Sequence, residues 1–235
     1  MIEVQGLYKS FGAIKAVDGV SFTVKPGQIM AVLGPNGAGK TTTMKMLSCF
    51  LTPDKGTAKI CGYDIIKNPL EVRKNLGYLP EHAAAYEEMT VASFLKFICD
   101  ARQIKASKRK NAIDKMLETC SLTKVYHQPI GTLSKGYKRR LGLAHVLIHD
   151  PPVLILDEPT DGLDPNQKHD VRNLIISLKD KSIIISTHIL EEVSAICDTC
   201  VIMDNGKVKA SNTPQELIEK HGPTLEDVFR KVTCS

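Results

Sequence analysis

Residues 34–41 read Gly34, Pro35, Asn36, Gly37, Ala38, Gly39, Lys40 and Thr41, and they follow the apolar run Ile29-Met30-Ala31-Val32-Leu33. No other pattern restricts the fold so strongly, because a loop of the type Gly-x-x-x-x-Gly-Lys-Thr works only where a strand feeds it and a helix leaves it. Met44, Leu47 and Cys49 supply the apolar pattern of that helix. Glycines without Cβ let backbone N–H groups wrap a polyphosphate, and the helix aims its positive end at the anion. Lys40 adds a point charge for the β- and γ-phosphates, and the Thr41 hydroxyl suits Mg²⁺. A glycine-rich turn with a chance lysine is the plain alternative; the strand before and the helix after argue against it.

The rest of the 235 residues must build around that loop, and the length suffices for one substantial core or a core with a smaller subdomain. Val20-Ser-Phe-Thr-Val24 is apolar at every second position and ends at the turn Lys25-Pro26-Gly27, so residues 1–30 read as antiparallel strands. Thr57–Cys61 and Leu76–Leu79 are strand-like. From Glu81 to Ile148 the texture becomes helical, with apolar residues at three- and four-residue spacing over 91–102, 108–120 and 137–148. Val153–Leu156 and Ile183–Ser186 are short and uniformly apolar, as strands at the centre of a parallel sheet are. Asp164-Pro165 starts a helix with Val171, Leu174, Ile175 and Leu178 on one face, and another helix lies near 189–196. A hairpin turns at Asp204-Asn205-Gly206, Thr213-Pro214 caps a further helix, and residues 224–232 are amphipathic. Strands alternating with helices around a phosphate loop imply an α/β core.

Composition narrows the function by exclusion. Lys and Arg number 31 against 26 Asp and Glu, a formal charge of +5 spread along the chain, so no nucleic-acid partner is expected. The densest basic stretch, Lys105–Lys110, has no interleaved aromatic and reads as a solvated loop. No run approaches the roughly 18 to 20 apolar residues of a membrane span, and the N-terminus lacks a signal-peptide pattern; a cytoplasmic location is expected. The seven cysteines are odd in number and sit mostly in apolar segments, as reduced core thiols do; Cys197 and Cys200 form a C-x-x-C without a second pair.

Two further patterns bear on phosphate chemistry. Asp157 and Glu158 end the apolar strand Val153–Leu156, at the carboxyl edge where α/β sheets bind ligands. Asp157 can support Mg²⁺ directly or through a ligand it holds, and Glu158 can take a proton from an attacking water. His188, just past the other buried strand, could reach the γ-phosphate, although a lone histidine at a strand end is more often structural. Ser134 and the N–H groups around Gly136 lie at the start of the helix near Tyr137, a second anion site. Two devices of this kind in one chain suggest a head-to-tail pair of subunits, each completing the other's site.

With these elements in this order, the chain resembles the nucleotide-binding subunit of ATP-binding cassette (ABC) transporters over essentially its whole length. The resemblance implies a P-loop NTPase (RecA-like) α/β core over residues 1–80 and 149–235, with an antiparallel β subdomain. It also implies an inserted α-helical signature subdomain over 81–148 and a C-terminal helical extension over 213–235. By the same resemblance Gly34 to Thr42 form the Walker A loop, with Thr42 among the ATP contacts, and Leu133 to Tyr137 form the signature. Val153–Asp157 is the Walker B strand with Glu158 as base, Gly162–Asp164 the D-loop and His188 the switch histidine. Phe11 falls where the family stacks an aromatic on adenine; an ordinary core phenylalanine is the alternative.

Two departures stand out. The usual signature is Leu-Ser-Gly-Gly-Gln, whereas Lys135 replaces a glycine here and Tyr137 the glutamine; Glu81 stands where a glutamine normally contacts the metal region and the transport partner. A weakened enzyme is one explanation. Adaptation is the better one, because Ser134, Gly136, Glu158 and His188 are intact. These substitutions, with Asp161–Gln167 and Pro223–Phe229, resemble bacterial export-type ATPases of the ABC-2 class, gliding-motility and multidrug subunits among them. The expectation is therefore a Mg²⁺-dependent ATPase that closes on ATP as a homodimer, or with a related ATPase subunit. It would drive a separate integral-membrane transport subunit from the inner face of the cell membrane. A regulatory nucleotide-binding module outside transport is the alternative.

Overall fold

The computed structural model describes residues 1–82 and 86–233; Cys234 lies outside them. The chain forms two compact units, one of residues 1–78, 152–158 and 178–235 and the other of 79–151 and 159–177.

The first unit carries two sheets. Strands β1 (Ile2–Phe11), β2 (Ile14–Val24), β4 (Lys55–Ile60) and β5 (Tyr63–Asp64) form an antiparallel sheet in the order β2-β1-β4-β5. The second sheet is built from β3 (Ile29–Leu33), β6 (Leu76–Leu79), β7 (Val153–Asp157), β8 (Ser182–Thr187), β9 (Thr199–Asp204) and β10 (Lys207–Asn212). Its order is β10-β9-β3-β8-β7-β6. Its middle strands β9, β3, β8 and β7 run parallel and are covered on both faces, which is why their sequences are continuously apolar rather than alternating. Met30 and Val32 of β3, with Val201 and Met203 of β9, face a core shared with the antiparallel sheet and with Met44 and Leu47 of helix α1 (Lys40–Leu47). Ala31, Leu33, Cys200 and Ile202 face the opposite core. That core is closed by Val193 of α7 (Leu190–Ile196), Leu217 of α8 (Pro214–His221), and Leu225 and Val228 of α9 (Leu225–Thr233).

Parallel pairing sets the strand ends level. Val32 pairs with Ser186 and Leu33 with Thr187, while Asp157 also pairs with Ser186. The segments that leave β3, β7 and β8 therefore emerge side by side at one edge.

The second unit holds helices α3 (Val91–Ala101), α4 (Ala106–Thr119), α5 (Lys135–Leu147) and α6 (Pro165–Ser177). Thr90 caps α3 by accepting from Ser93 N at 3.1 Å, and Ser134 caps α5 by accepting from Tyr137 N at 3.4 Å. Asp164 accepts from Gln167 N at 2.9 Å at the start of α6.

Several local expectations are corrected. Helix α4 opens at Ala106, two residues ahead of the helix expected from 108, so the basic stretch read as a loop is helical after Lys105: lysine and arginine are good helix formers and the apolar side begins only at Ile113. Helix α2 (Pro69–Lys74) and the two-residue β5 are absent from the sequence reading, being too short to carry a period. Residues 159–177, grouped with the core by sequence, lie in the second unit. There Asp170 pairs with Arg140, and the Gln167 side chain lies against Gly136. Six described cysteines are free thiols; Cys99, Cys120 and Cys200 are buried, with burial pushing Cys120 and Cys200 up to about 12, out of reach of thiolate chemistry.

Candidate active site

The phosphate loop is shaped by its neighbours. Gly39 has φ +96°, and a Cβ there would lie 2.3 Å from the Ala16 carbonyl oxygen; at Gly34 it would lie 2.4 Å from that of Met203. These contacts come from β2 and from the end of β9, so the glycines answer a tertiary requirement as well as a ligand's. Gly37, at φ +84°, faces open space. The β9–β10 turn closes the loop from behind, with Gly206 N donating to Ala38 O at 3.1 Å.

Lys40 is buried, and its Nζ donates to the carbonyls of Gly34 (2.8 Å) and Pro35 (3.2 Å). The same Nζ lies 3.5 Å from Glu158 Oε1. Glu158 adopts φ +48°, a left-handed conformation costly for a residue with a Cβ, and is held there by its N–H donating to the Ser186 carbonyl and hydroxyl, each at 3.1 Å. Its other carboxylate oxygen is 3.0 Å from His188 Nδ1. Next to it, Asp157 is fully buried; its Oδ1 accepts from the Ser186 hydroxyl and from Thr41 Oγ1, the latter at 3.3 Å. Thr187 Oγ1 donates to buried Glu192 at 2.7 Å and accepts from Ile189 N at 3.1 Å, fixing the chain on both sides of His188.

Thr41, Asp157, Glu158 and His188 are thus gathered around Lys40 within one unit. A hydroxyl and a carboxylate are the hard oxygen donors that Mg²⁺ takes, its other positions going to phosphate and water.

Of the remaining residues expected at the site, Phe11 belongs to the first unit and Ser134, Gly136 and Glu81 to the second. Phe11 ends β1 and is 52 % exposed, with Lys9 Nζ 5.9 Å from its ring centroid, so the core-phenylalanine alternative is excluded. Ser134 and Gly136 belong to the second unit, where a Cβ on Gly136 would lie 2.7 Å from Gln167 Cδ. Glu81 also belongs there; its carboxylate is exposed and 3.7 Å from His82 Nδ1.

A profile of the ABC transporter family matches residues 17–161. The chain belongs to that family. An uncharacterized ABC transporter ATP-binding protein of Bacillus subtilis is 41 % identical, the match covering 92 % of this chain and 72 % of the relative. The Nod factor export ATP-binding protein I of Ralstonia nicotianae is 38 % identical over 93 % of this chain and 68 % of its own length. A solved ATP-binding subunit of an ABC transporter superposes with a TM-score of 0.89 at 30 % identity, covering 99 % of both chains. As a member of the ABC family the chain binds and hydrolyses ATP, and it does so as a subunit of a transporter.

Sequence reasoning missed Ser186, Glu192, Arg139 and Gln167. Ser186 was visible as a lone hydroxyl at the end of an isoleucine run. The other three had no signal, because their partners are brought together only by packing.

Proposed function

We propose that this ABC subunit powers export through a separate integral-membrane partner, with Glu158 as the base for ATP hydrolysis. The observation that carries the reading is the placement of Glu158 between Lys40 (3.5 Å) and His188 (3.0 Å) at the mouth of the phosphate loop.

In this reading the loop amides and Lys40 hold the β- and γ-phosphates, with Thr42 contributing beside Thr41, and Phe11 stacks on adenine. Mg²⁺ would neutralise charge on the phosphate oxygens, held by Thr41 and supported by Asp157, with Glu81 as a further candidate. Glu158 accepts a proton from water, and His188 keeps the carboxylate directed at it. Ser134 and Gly136 meet the phosphates of a second copy in a head-to-tail pair, so that ATP closes the pair and hydrolysis releases it. Lys135 adds charge on that same face. The naming of the Ralstonia relative for export, together with the Asp161–Gln167 segment, supports the direction. Among the described residues no helix is long and apolar enough to cross a membrane, which is why a membrane partner is invoked; Glu81 is proposed to face it, on the cytoplasmic side.

The test is ATP turnover and light scattering of the purified chain. The Glu158→Gln variant should lose turnover about 10²- to 10⁴-fold and accumulate as an ATP-dependent dimer. Lys40→Ala should lose both binding and turnover. Unchanged hydrolysis by Glu158→Gln would overturn the base assignment, and hydrolysis that survives Lys40→Ala would overturn the site.

A further inference from the structure

Arg139 lies on α5, five residues beyond Ser134, and is only 9 % exposed. Its guanidinium reaches three main-chain carbonyls: Nε donates to Pro159 O at 2.7 Å, and Nη1 donates to Pro80 O at 3.1 Å and to Glu81 O at 3.0 Å. All four residues belong to the second unit. A buried guanidinium is costly unless its donors are satisfied. Here carbonyls accept from Nε and Nη1, and a carbonyl is indifferent to the side chain that follows it, so these bonds hold the path of the backbone. The planar fork can serve several carbonyls at once, which the point charge of lysine does less well.

The two segments it holds are not arbitrary. Pro80–Glu81 carries the carboxylate assigned above to the membrane-partner side. Pro159 is bonded directly to Glu158, whose left-handed φ of +48° leaves little freedom for the chain that departs from it. Pro159 has a fixed φ and no N–H, so holding its carbonyl pins the residue. Separating either segment from α5 would strand a buried charge or a carbonyl, so these pieces shift together more readily than apart.

We propose that Arg139 is a positioning residue that locks Pro80–Glu81 and Pro159 to α5. A displacement at Glu81 is then carried to the helix start bearing Ser134 and Gly136, and through Pro159 to the bond leaving Glu158. The proposal rests on the roles assigned above to Glu158, Ser134 and Gly136.

The experiment compares wild type with Arg139→Gln and Arg139→Lys in the full chain. Binding of fluorescent mant-ATP, kcat and KM for ATP, the thermal midpoint, and amide hydrogen exchange over residues 79–82 and 134–138 are measured. Arg139→Gln should bind mant-ATP within about twofold of wild type, because Lys40 and its loop belong to the other unit, while kcat falls about tenfold or more with KM little changed. Arg139→Lys should recover part of kcat. Exchange should rise in both segments together, well below the melting temperature. A kcat within twofold of wild type in Arg139→Gln overturns the proposal, as does a rise in exchange confined to one segment or spread evenly over the chain. If Arg139→Gln does not fold, Arg139→Lys decides: unchanged kcat with unchanged exchange in both segments overturns it. If wild type hydrolyses no ATP, the proposed function fails, and joint exchange in the two segments still supports or refutes the lock.

Discussion

His188 Nδ1 lies 3.0 Å from Glu158 Oε2, while Lys40 Nζ lies 3.5 Å from Glu158 Oε1, so the two oxygens of one carboxylate are addressed from opposite sides. Lysine and histidine leave the carboxylate little freedom to turn. In the proposed role as base, a carboxylate held in one orientation can meet a water held in another, and the hydrogen bonds from Glu158 N to the Ser186 carbonyl and hydroxyl keep its Cα in place.

Replacing His188 by Ala removes one of these two constraints without touching the phosphate loop. The expected outcome is a fall in kcat of about 10²-fold with mant-ATP affinity within about twofold of wild type, read from steady-state turnover and fluorescence titration. A matching loss of affinity would mean that His188 serves binding instead.

Ser186→Ala removes the hydroxyl shared by Asp157 and the Glu158 N–H. Leaving buried polar groups less well satisfied costs about 1–3 kcal/mol, to be read from urea unfolding. Turnover should drop about tenfold, since both acids lose a common anchor; Ser186→Thr should recover part of it.

The loop glycines should differ sharply among themselves. Gly39→Ala would drive a Cβ to 2.3 Å from the Ala16 carbonyl, a backbone atom that cannot step aside, and at φ +96°. A loss of more than about 3 kcal/mol, or failure to fold, is expected. Gly37→Ala meets open space and should cost only about 1–2 kcal/mol from its left-handed φ. Thermal melts of the two variants check the ranking.

Acid should weaken the fold through His145. Burial, with Arg102 nearby, pushes its pKa down from 6.5 to about 4, and its ring packs edge-on against Phe94 at 5.7 Å between centroids. The unfolded chain takes up the proton near pH 6.5 and the folded chain only near 4. The unfolded state therefore holds more protons in that window, and stability falls as the pH drops through it. The loss is up to about 3 kcal/mol. Denaturant unfolding at pH 7 and pH 4.5 should show it, and His145→Gln should flatten the slope.

How far the site could be read ahead varies by residue. The clustering of Lys40, Thr41, Asp157 and Glu158 was legible because each lies at a fixed spacing beside a buried strand. His188 was legible only by its neighbours, since one histidine carries no spacing. Phe11 was read as an aromatic for adenine with a core phenylalanine as the alternative, and its exposure excludes the core. The first two residues of α4, Ala106 and Ser107, fell outside the expected helix because helix propensity in a charged stretch leaves no apolar period to see.

Local pattern by itself determined the glycine-rich loop between a strand and a helix, the buried strands around it, the acids at a strand end and the helix that starts after Ser134, because each is a relation among residues a few positions apart. Which residues meet was decided by the tertiary structure alone. The register of β3, β7 and β8 brings Thr41, Asp157, Ser186 and His188 to one edge; Ala16 and Met203 make Gly39 and Gly34 obligatory; Arg139 finds carbonyls 20, 58 and 59 residues away. Strand register and burial are set by the summed packing of distant segments, and no short stretch of sequence contains that sum.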